Sequence, residues 1–323
     1  MAEKVAIGVD LGATRIRVCL GTSAGKILRR ETHDMVQRES LADYLEELVA
    51  AVGALAGEIP KTDLQGVCVA SPGPLDLKEG SIVRSSNIPF PKVPVIKELR
   101  DGLGVDAYLV NDANAAALGE WLRGAGVGRQ NVFYVTISTG IGGGAVADGR
   151  LLLGKDGNAA EIGHTVVDST GRMKCGCGRL GHWEAYCSGS GIPAFARSIW
   201  DKTAESERSR SANLFAGSSL PGAKQVFDSA ARGDVFASRV VEEVGRLNAI
   251  GVANITDTFD PEIVTIGGGV GLNNADAILS PIREHLGEYA INRVPEVRIT
   301  PLGDDAGLLG ALSVAFDPEL IGM

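Results

Sequence analysis

The chain has no apolar run of the ~18–20 residues that a membrane-spanning helix needs. Its opening residues, Met1, Ala2, Glu3 and Lys4, lead straight into a strand-like segment without the apolar core of a signal peptide. A cytoplasmic protein with no membrane partner is therefore expected. Cysteine is scarce. Five residues, one local pair and three singles, make no disulfide framework, which fits a reducing compartment and leaves the pair available to a metal. Positive charge is also short: 31 Lys and Arg against 40 Asp and Glu give a formal net charge of −9. A nucleic-acid binder needs the opposite balance to neutralise phosphates, so no nucleic-acid partner is expected. A Walker-type Gly-Lys-Ser/Thr loop is absent as well. What the chain does have is glycine, 43 residues, many at the ends of apolar segments where backbone must approach a ligand or take positive φ. Its 323 residues, 45% hydrophobic and 22% charged, suffice for two domains with separate cores.

Residues 5–10, 15–21 and 26–31 read as three strands of an antiparallel meander. Ser40 then opens a helix, with Asp43 three residues on and Leu41, Leu45, Leu48, Val52 and Leu55 recurring at helical spacing. Strand 64–70, helix 93–103 and strand 105–110 complete the order βββαβαβ, and an alanine-rich helix runs from Asp112 to about Arg123. The scheme then begins again with strand 131–137, a glycine loop at 140–144, and a hairpin of 145–147 with 150–153 across Asp148-Gly149. Helices near 186–200 and 235–257, strand 262–266, helix 274–287, strand 297–300 and helix 304–316 follow. The stretch 203–221, rich in Ser, Glu, Arg and Gly, reads as a mobile loop or short insertion. Two copies of one α/β unit facing each other across a cleft are the expected architecture.

Chemistry concentrates between His164 and Glu184, which hold two of the four histidines and two of the five cysteines. Cys175 and Cys177 lie between His164 and His182, and neutral imidazole with thiolate is the ligand set of a tetrahedral zinc site. Glu161 and Glu184 flank this set with carboxylates that can grip hydroxyl groups, which suggests a polar substrate. The one-residue cysteine spacing is tighter than that of zinc fingers, and an ordinary glycine turn with small buried cysteines stays open as the other reading. Cys187 reads as core.

Three glycine turns each follow an apolar run: residues 10–15 (DLGATR), 138–144 (STGIGGG) and 266–271 (IGGGVG). Converging backbone N–H groups and a threonine hydroxyl suit phosphate oxygens, and an aspartate can hold magnesium through water. Gly140, Gly142 and Ala145 fit a GxGxxA dinucleotide fingerprint, but that fingerprint needs a helix where the sequence here makes a hairpin.

With these motifs in order over nearly the whole chain, the sequence resembles the sugar kinases of the ROK family (repressors, uncharacterised frames and kinases), within the actin-like, hexokinase-like ATPase superfamily. The resemblance rests on DLGATR, SPGPLD at 71–76, SNIP at 86–89, NDANAA at 111–116, STGIGGG, EIGH at 161–164, CGCGRLGHWE at 175–184 and IGGGV. It implies an α/β fold of two actin-like, ribonuclease H-like domains: residues 1–112 joined by the C-terminal helix at about 304–323, and residues 113–303 with a zinc loop at 164–184. It implies ATP-dependent phosphorylation of a hexose, most readily glucose to glucose 6-phosphate. Asp112 is the implied general base, its other reading being a helix N-cap. Gly73, Asn87, Asn111, Asp112, Glu161, His164 and Glu184 are the implied sugar contacts. Asp10, Gly12, Thr14, Arg15, Thr139, Gly140 and Gly142 are expected at the phosphates and magnesium, and Gly268 and Gly269 at the adenosine. A structural zinc is implied on His164, Cys175, Cys177 and His182, and a homo-oligomer, dimer or tetramer, is expected.

Two departures stand out: Ala13 replaces the second glycine of the first phosphate motif, and His182 stands where the family usually places a third cysteine. The competing functions are an N-acetylmannosamine or N-acetylglucosamine kinase and a sugar-sensing repressor. A repressor of this family carries an N-terminal helix-turn-helix, whereas here four residues precede the first strand.

Overall fold

The computed structural model describes residues 4–12, 15–35, 40–57, 59–85, 88–208 and 220–323. The chain opens with β1 (Val5–Leu11), β2 (Arg15–Thr22) and β3 (Ile27–Asp34), then α1 (Leu41–Ala56) and β4 (Leu64–Ser71). Three short strands follow, β5 (Leu75–Asp76), β6 (Ser81–Val83) and β7 (Lys92–Val93), and then α2 (Val95–Leu103), β8 (Ala107–Asn111) and α3 (Asp112–Arg123). After β9 (Val132–Ile137), β10 (Ile141–Ala147) and β11 (Arg150–Leu151) come α4 (Glu184–Cys187), α5 (Gly191–Trp200), α6 (Glu205–Arg208), α7 (Ala223–Ala231) and α8 (Val235–Phe259). The chain closes with β12 (Ile263–Gly267), α9 (Gly268–Asn273), α10 (Ala275–Tyr289), β13 (Glu296–Ile299) and α11 (Ala306–Phe316).

The two five-stranded sheets repeat one topology, β3-β2-β1-β4-β8 and β11-β10-β9-β12-β13. In each, the first strand of its copy lies between the second and the fourth, so the internal repeat read from the sequence is present in the fold. In the first sheet β1 pairs antiparallel with β2 and parallel with β4, making it mixed. The physical pattern follows: β1 and β4 are buried along almost their whole length, as strands covered on both faces must be. The edge strand β3 instead carries Arg29, Arg30, Glu31, His33 and Asp34, charge that blunts an exposed edge.

Local chemistry explains the element ends. Ser40 Oγ accepts the Asp43 N–H at 3.1 Å and starts α1 as the sequence predicts. Asp148 and Gly149 both take positive φ, 50° and 69°, the conformation an Asp-Gly hairpin turn requires. The third small sheet, β5-β6-β7, was not expected, because strands of two or three residues leave no period to read. The predicted single helix near 186–200 is two, α4 and α5, broken at Ser188–Ser190. Most of the stretch 203–221 lies outside the described residues, and α6 occupies part of the rest.

By contact density the chain forms two compact units, Met1–Val132 with Gly144–Ala160 and Asp304–Met323, and Phe133–Gly143 with Glu161–Gly303. Where the sequence reading ended the first domain at 112, the first unit continues through α3. Glycine explains the attachment: a Cβ on Gly119 would lie 2.2 Å from Ala306 O, and one on Gly310 only 1.7 Å from Ala115 O. Backbone of α3 and α11 therefore pack directly. Gly8 similarly lets α11 lie on β1, 2.8 Å separating its would-be Cβ from Leu308 O. Among the described residues no helix is long and apolar enough to cross a membrane.

Candidate active site and metal centre

In the first unit, Asp10 sits near the end of β1 and Gly12 closes a turn by donating to Arg15 O at 2.9 Å. Asp10 Oδ2 accepts from Arg17 Nε at 2.9 Å, and from its Nη2 as well. Arg17, two residues beyond the motif, went unnoticed in the sequence, though the alternation of β2 places it and Arg15 on the same face. Arg15 itself lies on the exposed strand end 3.5 Å from Asp34. Thr14 and Asn87 lie outside the described residues.

The parallel pairing of β4 with β8 sets Asn111 opposite Ser71 at the strand end. The helix cap predicted for Asp112 belongs instead to Asn111, whose Oδ1 accepts the Ala113 and Asn114 N–H groups at 3.0 and 3.1 Å. Asp112 is the first helical residue, with Oδ1 2.8 Å from the Ala113 N–H. A residue at that position is spared the capping task that a strand-end aspartate usually has. Gly73 lies near Asn111: a Cβ there would sit 3.6 Å from Asn111 Nδ2 and 3.4 Å from Asn158 Oδ1. Asn158, which no motif flagged, pairs with both backbone groups of Leu75, at 3.0 and 3.1 Å, and so holds the loop that carries Gly73.

In the second unit the glycine loop 138–144 runs from β9 into β10, a strand where a dinucleotide fingerprint would need a helix. The segment that follows α4 grips it: Gly189 N–H donates to Ser138 O at 2.7 Å, while Ser190 N–H and Oγ donate to Thr139 O at 3.2 and 2.8 Å. Glu184 Oε2 accepts the Ile141 N–H at 3.0 Å. Gly140 has to be glycine or displace that carboxylate, since a Cβ there would lie 2.6 Å from Glu184 Oε2. The Ser188-Gly189-Ser190-Gly191 run was the available sequence signal for this grip. The third glycine turn meets the same strand: Gly268 has φ 79°, and its would-be Cβ lies 2.6 Å from both Ile137 O and Thr136 Oγ1. The glycine turn at 267–269 and the loop 138–144 thus share the ends of neighbouring strands β12 and β9, with Gly269 open to space.

His164, Cys175, Cys177 and His182 come together, their ligand atoms all within 4.8 Å of one another. Cys175 Sγ is 3.7 Å from His164 Nδ1, and Cys177 Sγ is 3.3 Å from His182 Nδ1. Zinc bonds of ordinary length at a tetrahedral angle would set sulfur and nitrogen about 3.6 Å apart, so the four residues fit a tetrahedral ion. His182 reaches this position because its backbone bridges Val166, two residues past His164, while a second bridge, Lys174 to Leu180, closes the cysteine turn. The longer ring at the family's cysteine position is therefore accommodated. Burial, then the charges of His164 and Arg179, lower the His182 pKa, which favours the neutral ring that a ligand must present. Burial, with Glu184's charge adding to it, pushes the Cys175 thiol up to about 12, so a metal displaces a proton on binding. His164 turns its other nitrogen, Nε2, to Glu161, 3.9 Å away. Cys187 is core as predicted, fully buried with Sγ on Val244 O.

The metal loop rests on a polar cluster around the buried Asp168. Asp168 accepts from Thr170 Oγ1 at 2.6 Å, Arg172 Nε at 2.7 Å and Tyr186 Oη at 2.9 Å, and Trp183, wholly buried, donates to Asn248 Oδ1.

The model of the ROK family matches residues 6–317. The chain belongs to the ROK family. Within it the chain is glucokinase-like: a glucokinase of Aeropyrum pernix is 39% identical over 99% of this chain and 98% of its own. The crystal structure of a ROK family glucokinase from Streptomyces griseus, in complex with glucose and AMPPNP, superposes with a TM-score of 0.78 at 31% identity, over 96% of this chain and 98% of that one. An N-acetylmannosamine kinase of Citrobacter koseri is 33% identical over 96% of this chain and 98% of its own.

Proposed function

We propose that this ROK protein transfers the γ-phosphoryl group of magnesium-bound ATP to the 6-hydroxyl of a hexose, glucose foremost. Asp112 accepts the hydroxyl proton as that oxygen bonds to the γ-phosphorus and the bond to ADP breaks. Asn111, Glu161, His164 and Glu184, with Gly73 and Asn87, hold the sugar; the turns at 10–15 and 138–144 take the phosphates, and Gly268 and Gly269 the adenosine. The observation that carries this reading is Glu184, an acid suited to sugar hydroxyls whose other oxygen holds the glycine loop at Ile141. An acceptor bound there stands beside a loop of phosphate-binding type. The relative that binds glucose and AMPPNP supports the same pairing of ligands.

Zinc is the metal that two neutral imidazoles and two thiolates favour, and it supplies a fixed tetrahedral anchor. His164 bound through Nδ1 keeps Nε2 for a sugar hydroxyl. A homo-oligomer is the expected assembly, to be checked by light scattering.

A coupled ADP-release assay over a panel of hexoses and amino sugars tests the assignment. Glucose should give the highest kcat/KM. N-acetylmannosamine ahead of glucose would establish the second reading, which the Citrobacter koseri relative favours. ADP release independent of every sugar would sink both.

A further inference from the structure

We propose that Glu184 is a positioning residue that transmits metal occupancy to the nucleotide's glycine loop, an inference that rests on the kinase reading above. The carboxylate is shared between two structures that the sequence separates by more than thirty residues. Its Oε1 accepts the Cys175 thiol at 3.4 Å, and its Oε2 accepts the Ile141 N–H at 3.0 Å. Glu184 also follows the ligand His182 by two residues and begins α4, whose outgoing residues Gly189 and Ser190 hold the carbonyls of Ser138 and Thr139. The glycine loop is therefore fastened at three residues, 138, 139 and 141, to the segment that leaves the metal group.

A metal on His182 fixes the chain two residues before Glu184. With that anchor in place, the Glu184 carboxylate and the turn after α4 hold the N–H and C=O groups of residues 138–141 in one arrangement, and the loop is ordered before nucleotide arrives. Preorganisation of this kind strengthens binding by removing an ordering cost. The metal group, which the kinase reading uses only for the sugar, thus also serves the phosphates. Coupling between two binding sites is reciprocal, so nucleotide should tighten metal by the factor that metal tightens nucleotide.

The test is calorimetric titration of the full chain with magnesium-AMPPNP, without sugar, in zinc-loaded and chelator-stripped forms, with circular dichroism to confirm the fold of each. Stripping should weaken AMPPNP by roughly 5-fold or more, the lower end of ordinary site coupling, and saturating AMPPNP should raise zinc affinity, read with a chromophoric indicator, by the same factor. Glu184→Ala should bind AMPPNP weakly whether loaded or stripped. Glu184→Gln, whose amide oxygen still accepts from Ile141, should recover most of the loaded affinity. Gly140→Ala, whose methyl occupies the place of Oε2, should behave like Glu184→Ala. Equal wild-type affinities with and without zinc would overturn the inference, and so would an undiminished zinc effect in Glu184→Ala. AMPPNP binding in neither form would overturn the kinase reading itself.

Discussion

The two segments proposed to carry chemistry are held in opposite ways. Asn111 and Asp112 stand at a strand-to-helix junction: β8 is paired along its length with β4, and α3 packs backbone to backbone on α11 through Gly119 and Gly310. The metal loop has two isolated bridges and irregular backbone bonds, such as Cys175 N–H to Arg179 O and Trp183 N–H to Thr165 O, and side chains add the four candidate ligands, the Asp168 cluster and the Glu184 carboxylate. Backbone hydrogen bonding survives a change of side chain, whereas the contacts that a ligand group or a carboxylate adds are lost when that side chain is replaced. Mutations at the junction should therefore separate chemistry from structure, and mutations of the loop's candidate ligands should not.

The largest effect expected is at the junction. Asp112→Asn keeps an oxygen for the Ala113 N–H but cannot take a proton, so turnover should fall by ~10²–10⁴ while sugar affinity and the unfolding midpoint stay near wild type. Retention of half the turnover, with a base worth more than ~10²-fold, would show that Asp112 is a structural residue.

In the loop, binding and structure should fail together. Cys177→Ser replaces a soft ligand by a poor one, and zinc affinity should drop by more than the ~10–100-fold that loss of mere outer support costs. Elemental analysis of tag-free protein should find less than one zinc per chain, sugar KM should rise, and the unfolding midpoint should fall. Unchanged KM and stability would mean that hydrogen bonds alone hold the loop and would erase the contrast with the junction.

The same contrast explains what could be read in advance. Elements with a long period were legible: the β1 to β3 meander, α1 behind its Ser40 cap, the Asp148-Gly149 turn, and the repeat that the two sheets share. The group of His164, Cys175, Cys177 and His182 was legible because histidine and cysteine are rare here and clustered. What escaped depends on contacts between distant residues. The bond of Glu184 to Ile141 spans 43 positions and that of Asn158 to Leu75 spans 83, and neither residue type announces its partner. Asn111 as cap escaped because Asn and Asp cap helices about equally well, so only the geometry separates adjacent candidates.

Acid should distinguish the regions next. Burial alone would raise the Asp168 pKa, but hydrogen bonds from Arg172, Thr170 and Tyr186 outweigh it and hold the carboxylate well below its usual range. Since the unfolded value is about 3.9, the ionised cluster stabilises the native state above that pH, and this contribution is lost as pH falls toward the folded value. Urea titrations from pH 7 down to about 2.5, which cover the upper part of this loss, should show Asp168→Asn less stable than wild type at neutrality, with a shallower loss in acid. An identical acid slope in the two proteins would place the sensitivity elsewhere.

The smallest effect should come from Asn158, where the first unit borrows the loop's strategy. Its amide satisfies both backbone groups of Leu75 in the stretch that follows Gly73 and also donates to Asp156 O, so Asn158→Ala strips three hydrogen bonds and leaves the Leu75 N–H and C=O to find water. The cost should be about 1–2 kcal/mol, because a net hydrogen bond is worth about 1 kcal/mol and partial solvation limits the penalty. A backbone-held junction would not notice: kcat and ATP KM should stay within about twofold, a margin under 0.5 kcal/mol, while sugar KM rises as Gly73 loses its support. If kcat fell and sugar KM did not, Asn158 would be acting on Asn111, 3.6 Å from the same glycine's would-be Cβ, and the junction would depend on side chains after all.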